Sequence, residues 1–235
     1  MGRITLMFPG QGSQYVGMGK NLYENYEIAR HVYEEANDAI GFDLMSLCFS
    51  GDINELTKTE NAQPAILAMS VAAYRVYMQE IGRAPLYLAG HSLGEISALT
   101  CSGAINFSDA IKIVRQRGKL MQEAVGVGEG AMLAVSGIDR YTIAAECGKA
   151  STGGQIAVIS NYNSEDQIVI SGNKVAINTV KERLEQNGAK CTFLKVSAPF
   201  HSPLMNPVAD KFKEELANWH TYYLEPKTLM RKEVP

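Results

Sequence analysis

The chain reads as an α/β protein, a hydrolase-like parallel-sheet body carrying an inserted ferredoxin-like α+β small domain. Three observations predict it. The apolar run PLYLAG leads directly into GHSLGEISAL, so a strand passes through a Gly-x-Ser-x-Gly turn into a helix. Strand-like and helix-like segments alternate through residues 1–126. From residue 127 the order becomes β-α-β-β-α-β, the split ferredoxin-like pattern.

Taken in order, Ile4 to Phe8 is a short apolar strand, followed by a Gly/Gln loop from Pro9 to Gly19. A helix is predicted over Ile28 to Ile40. Another starts near Pro64, where AILAMSVAAYRVYMQEIG is apolar on nearly all sides and should lie deep. Strand 86–90 and the helix after Ser92 follow. Asp109 to Ala124 is amphipathic, with Ser108 or Asp109 as its cap. Gly126, Gly128 and Gly130 read as a flexible joint. Beyond it come strand AMLAVSG, helix 139–149, strands QIAVISNYN and QIVISG, helix 173–187 and strand CTFLKVS. The body is therefore expected to comprise residues 1–126 and 198–235, and the small domain residues 127–197. Helix 203–217 would return the chain to the body.

With 235 residues and 46% hydrophobic content, the chain can bury a substantial core, roughly 70–75% of its unfolded surface. A net charge of −3 gives no bulk electrostatic reason to expect nucleic acid or an anionic membrane. The N-terminal apolar run is too short for a signal peptide, and no run approaches the ~18 apolar residues of a membrane span. Cys48, Cys101, Cys147 and Cys191 are scattered without a CxxC pair. Free thiols in a reducing cytoplasm are expected, with no metal site.

Four positions carry candidate chemistry. Ser92 sits where a tight turn would present a nucleophile, and a serine needs a base to attack an acyl carbon. His91 adjoins it but should point the other way. His201, in SAPFHSPLM, precedes a helix with Ser202 as cap and Pro203 as its first residue. That helix terminus disfavours an imidazolium, so His201 is either a neutral base or a capping, packed histidine. Arg117 projects from the apolar stripe formed by Ala110, Ile113, Val114 and Met121. Buried there, it must meet an acceptor, either an internal acid or a substrate carboxylate gripped by its fork. Lys112, Arg115, Lys119 and Gln122 fall on the opposite face, and Arg115 reads as solvated. In PGQGSQYVGMG the spacing does not fit a dinucleotide or phosphate loop. Gln11 between two glycines instead suits a backbone amide aimed at a site.

FPGQGSQ, TENAQPA, GHSLGE, VRQRG, NSxxQxVISG and FHSPLM occur in one order, and together the chain resembles the malonyl-CoA:acyl-carrier-protein transacylase family. The likeness extends both to the fatty-acid enzyme and to the discrete acyltransferases serving polyketide synthases. It implies a ping-pong acyltransferase in which Ser92 accepts the malonyl group and His201 is its base. The backbone amides of Gln11 and Leu93 would form the oxyanion hole, and Arg117 would bind the malonyl carboxylate. Gln63 and Asn163 match residues lining the family's site. Phe200 stands where malonyl-selective members carry phenylalanine. The implied partners are malonyl-CoA and an acyl carrier protein. The protein is expected to be a cytoplasmic monomer without a cofactor.

Glu165–Asp166 replaces the family's common proline turn. The resemblance is expected to stop near Trp219, leaving the chain short of a C-terminal segment that orients the histidine. A thioester hydrolase using the same serine and histidine, or a non-catalytic carrier-docking form, are the alternatives.

Overall fold

The computed structural model describes residues 3–124, 126, 128–196 and 198–217. It contains two compact units, residues 3–119 with 215–217, and residues 120–214.

In the larger unit, β1 (Thr5–Phe8) pairs in parallel with β2 (Tyr87–Gly90), from Thr5 opposite Tyr87 to Phe8 opposite Gly90. Five helices lie between them in sequence: α1 (Lys20–Asn25), α2 (Glu27–Ile40), α3 (Leu44–Ser50), α4 (Ile53–Thr57) and α5 (Thr59–Glu80). α6 (Leu93–Cys101) and α7 (Phe107–Glu123) follow β2. Helices α1, α3 and α4 are too short to show apolar periodicity. Two of them are set instead by aspartate caps, Asp43 accepting from the Ser46 amide and Asp52 from Asn54 and Glu55.

α5 is buried around its circumference from Asn61 to Ala68, and the stretch after Pro64 is the run whose apolarity predicts a deep position. It starts at Thr59 rather than near Pro64. The first turn is polar, and Pro64 is accommodated inside the helix instead of opening it. α7 likewise begins earlier than expected. Its cap is neither Ser108 nor Asp109: the Asn106 side chain accepts from the Ser108 amide, 2.9 Å away. The core of this unit joins α2, α5 and α7 through Val32, Ala36, Leu67, Val71, Ile111 and Val114, all buried.

The smaller unit holds β3 (Gly130–Ser136), α8 (Arg140–Ala150), β4 (Ala157–Tyr162), β5 (Gln167–Asn173), α9 (Lys174–Gln186) and β6 (Lys190–Phe193). Its antiparallel sheet has the order β4-β5-β3-β6, the ferredoxin-like arrangement that the element order predicts. One sheet face, with Leu133, Val135, Ile168 and Ile170, packs against Ile143, Cys147, Ile177 and Leu184 of the two helices. Gly130, expected in a joint, opens β3. The last strand ends at Phe193; Ser197, assigned to it from sequence, lies outside the described residues.

The units divide at different positions from the expected domains. Residues 120–124, 126 and 198–214 group with the smaller unit. The reason is hydrophobic: Ala198, Phe200 and Val208 share a buried cluster with Met121, Met132 and Val169, covering the second face of the sheet. The expected helix 203–217 is a 3-10 turn, Pro203–Met205, running into α10 (Asn206–Ala217). Residues 218–235 of the expected body lie outside the described residues.

Candidate active site

β1 and β2 end side by side, and the chain leaves each into a functional loop. After β2 the backbone turns sharply at Ser92, which has φ 52° and ψ −106° and is the N-cap of α6. The flanking glycines are required by contact. A Cβ at Gly90 would fall 1.9 Å from the Gly94 carbonyl carbon, and one at Gly94 would fall 2.2 Å from the Phe8 oxygen. The turn therefore packs against the end of β1, and Ser92 is held at a positive φ that a non-glycine residue seldom adopts.

α6 starts immediately behind Ser92. The amides of Gly94 and Glu95 bond back to the His91 and Ser92 carbonyls, at 2.9 and 3.1 Å. Leu93, the first residue of α6, has an amide with no acceptor inside its helix. After β1 the chain enters Gly10-Gln11-Gly12. A Cβ at Gly10 would fall 2.6 Å from the His91 oxygen and 2.8 Å from its Nδ1, so this loop lies directly on the residue preceding Ser92. Gln11 is half-buried, and its Nε2 donates to Thr59 Oγ1 at 3.2 Å.

Arg117 reaches the same place from α7. Its Nη2 donates to Ser92 Oγ at 3.3 Å and its Nη1 to Gln63 Oε1 at 2.8 Å. Gln63 is only 1% exposed, so it offers a fixed acceptor. None of the ion pairs among the described residues involves Arg117. Its two hydrogen-bond acceptors, Ser92 Oγ and Gln63 Oε1, are neutral. Burial pulls its pKa below the ordinary arginine value, with the Glu95 carboxylate opposing; a guanidinium keeps its proton regardless.

Thr59 and Gln63 lie one helical turn apart, on one face of α5. One holds the Gln11 side chain and the other holds Arg117. Thr59 has no nucleophile or charge to single it out within TENAQPA, and sequence reasoning assigned it nothing. The same holds for Gly118 in VRQRG. A Cβ there would fall 2.6 Å from the Thr59 carbonyl oxygen and 2.7 Å from Glu60 Cα, so glycine lets α7 seat against the first turn of α5. Arg115 is not the solvated residue expected from its helical face. It is half-buried, with its guanidinium carbon 4.5 Å from the Phe42 ring centre, because α2 and the chain after it cover that side.

The remaining predicted site residues belong to the smaller unit. His201 is exposed and has φ 57°. Among the described residues, it and Ser92 are the only non-glycine residues with positive φ. Ser202 precedes the 3-10 turn and Pro203 is its first residue, as predicted, although the Ser202 hydroxyl turns back to the Pro199 carbonyl at 2.7 Å. Phe200 is buried, 5% exposed, in the cluster with Met121 and Met132. Asn163 is exposed at the β4–β5 turn, where its Nδ2 donates to Gln167 Oε1 at 3.0 Å. Among the described residues, no group of three His, Cys, Asp or Glu side chains could hold a metal ion. No described helix is long and apolar enough to cross a membrane.

A strained serine between strand and helix, on a parallel pair flanked by helices, places the larger unit with acyl-transferring α/β proteins. The model of one family, described as the acyl transferase domain, matches residues 5–227. The match continues past Trp219, where the resemblance was expected to stop. The chain is 48% identical over 216 residues to the malonyl CoA-acyl carrier protein transacylase of Bacillus subtilis, covering 92% of this chain and 54% of that protein. It is 47% identical over 218 residues to the protein of the same name from Escherichia coli (strain K12), covering 92% and 70%. A solved complex of a type II polyketide-synthase acyl carrier protein with its malonyl-transacylase superposes with TM-score 0.89 and 44% identity, covering 92% and 70%. The chain belongs to the malonyl-CoA:acyl-carrier-protein transacylase family. It spans about half the length of the first of these relatives and 70% of the second.

Proposed function

We propose that this protein transfers a malonyl group from malonyl-CoA to the phosphopantetheine thiol of an acyl carrier protein, for fatty-acid or polyketide synthesis. The observation that carries the reading is Arg117, a half-buried cation 3.3 Å from Ser92 Oγ whose hydrogen-bond acceptors are both neutral. In a malonyl ester of Ser92, one methylene separates the acyl carbon from the carboxylate. A guanidinium beside Oγ therefore lies at the correct range to grip that carboxylate. With an uncharged acyl group the same cation would have no substrate anion to hydrogen-bond, which is the basis for selectivity.

In this reading His201 accepts the Ser92 proton as Oγ attacks the thioester carbonyl. The strained backbone at both residues supports functional roles for them. The amides of Leu93 and Gln11 stabilise the resulting oxyanion; losing one such donor typically costs about 3–4 kcal/mol. The tetrahedral species collapses, the C–S bond breaks, and CoA leaves as its thiol with the proton from His201. The carrier thiol then gives up its proton to His201, attacks the ester and releases Ser92. Phe200 limits the acyl pocket, disfavouring a branched methylmalonyl group, and Asn163 lines it. All proton transfers use side chains and substrate thiols, so no cofactor is required. The protein acts as a cytoplasmic monomer.

Incubation with malonyl-CoA should add one malonyl mass to the peptide containing Ser92, and addition of holo acyl carrier protein should remove it as malonyl-carrier. Release chiefly as free malonate would assign hydrolysis instead. No label on Ser92 would defeat both.

A further inference from the structure

The loop that supplies Gln11 has an unsolved mechanical problem. Gln11 lies between Gly10 and Gly12, and Gly12 has φ +104°. Glycine on either side makes the intervening peptide planes easy to rotate. An oxyanion donor must instead be preorganised, because reorganising it during reaction forfeits its benefit. The Gln11 N–H shares one planar trans peptide with the Gly10 carbonyl, so the two point in opposite directions. Whatever fixes that carbonyl also aims the amide.

The Ser13 hydroxyl donates to the Gly10 carbonyl oxygen at 2.9 Å. We propose that Ser13 is a positioning residue for the oxyanion hole, clamping the Gly10–Gln11 peptide plane so that the Gln11 N–H stays directed away from the Ser13 side of the loop. The proposal rests on the reading of Gln11 as an oxyanion donor. Neighbouring contacts restrain the same segment from other directions. The Gly12 amide donates to Gln14 Oε1 at 2.8 Å, the Gln11 side chain is tied to Thr59, and Gly10 lies against His91. Those contacts fix where the loop runs. Among these contacts, the Ser13 hydrogen bond is the one that acts on the carbonyl of the peptide that carries the donor. This accounts for a serine in PGQGSQ that neither binding nor proton transfer employs. Ser13 is exposed, so its substitution leaves no cavity in the core.

The test compares Ser13→Ala and Ser13→Thr with the unsubstituted chain. Ser13→Ala should lower kcat for malonyl transfer at least about tenfold, short of the roughly 10²–10³-fold expected when a donor is lost outright. The KM for malonyl-CoA should stay within about twofold, since the carboxylate grip is untouched. Ser13→Thr, which keeps the hydroxyl, should restore the rate. An unchanged kcat in Ser13→Ala, or a loss that Ser13→Thr shares, would overturn the clamp. The second readout is the Gln11 amide itself, followed by NMR with 15N-labelled glutamine. Its hydrogen exchange should quicken, or its resonance split, in Ser13→Ala and not in Ser13→Thr. If the unsubstituted chain transfers no malonyl group, the functional reading fails, and the Gln11 amide alone decides the clamp. An amide unaffected by Ser13→Ala refutes it.

Discussion

In the proposed reaction Arg117 is the residue on which selectivity turns, and its partners set what each substitution should do. Arg117→Ala removes both donors, so kcat/KM for malonyl-CoA should fall about 10–100-fold, the range for a charged hydrogen-bonded contact. Transfer from acetyl-CoA should fall far less, and the ratio of the two rates measures the effect. Arg117→Lys should recover little, because a single ammonium cannot reproduce a planar fork that spans two acceptors. Gln63→Leu would leave one guanidinium N–H facing an apolar side chain, with a smaller loss expected in the same assay. At this scale the sequence exposed the inward arginine and the serine turn. It could not show that the arginine touches the serine, since a contact between residues 92 and 117 depends on how α6 and α7 cross.

At the scale of elements, the start of α5 is a bracket for one loop and one helix. Thr59 and Gln63 face the same way, and Gly118 permits α7 to approach the backbone of Thr59 and Glu60. Gly118→Ala would force a methyl group into a backbone oxygen and displace α7. A loss of about 1–3 kcal/mol in stability is expected, the range for overpacking, read as a lower urea midpoint. Malonyl transfer should fall further than stability explains, because Arg117 is the preceding residue. Gly94→Ala should be at least as harmful, since its Cβ would collide with the end of β1. TENAQPA and VRQRG were visible as motifs, but their shared task was not. Helical periodicity says which residues share a face, whereas the identity of the neighbour on that face is set by packing.

For the whole molecule, three thiols withdrawn from water, Cys48 and Cys147 buried and Cys101 partly so, tie stability to alkaline pH. Burial pushes Cys48, Cys101 and Cys147 up to about 12 from an ordinary value of 9.0. The unfolded chain releases those protons near pH 9, while the folded chain retains them. Their contribution is therefore intact below about pH 9 and is lost as pH rises from there toward 12, by at most about 1.4 kcal/mol per pH unit for each thiol. Urea midpoints should decline across this window, and Cys48→Ala should reduce the slope by one thiol's share. At neutral pH the same burial should make these cysteines slow to alkylate in the folded protein, and fast once it is unfolded.

The sequence by itself determined the strand–serine–helix turn, the β-α-β-β-α-β order, the inward stripe of α7 and the deep position of α5. Each is written in local periodicity or in a conformational demand that one residue type meets, so neighbouring residues suffice to read it. Tertiary structure alone decided that Thr59 and Gln63 serve Gln11 and Arg117, that Phe42 covers Arg115, and that residues 198–214 pack with the smaller unit. Those outcomes depend on which apolar and polar surfaces meet across tens of residues, and that meeting is settled by the competition for burial across the entire chain.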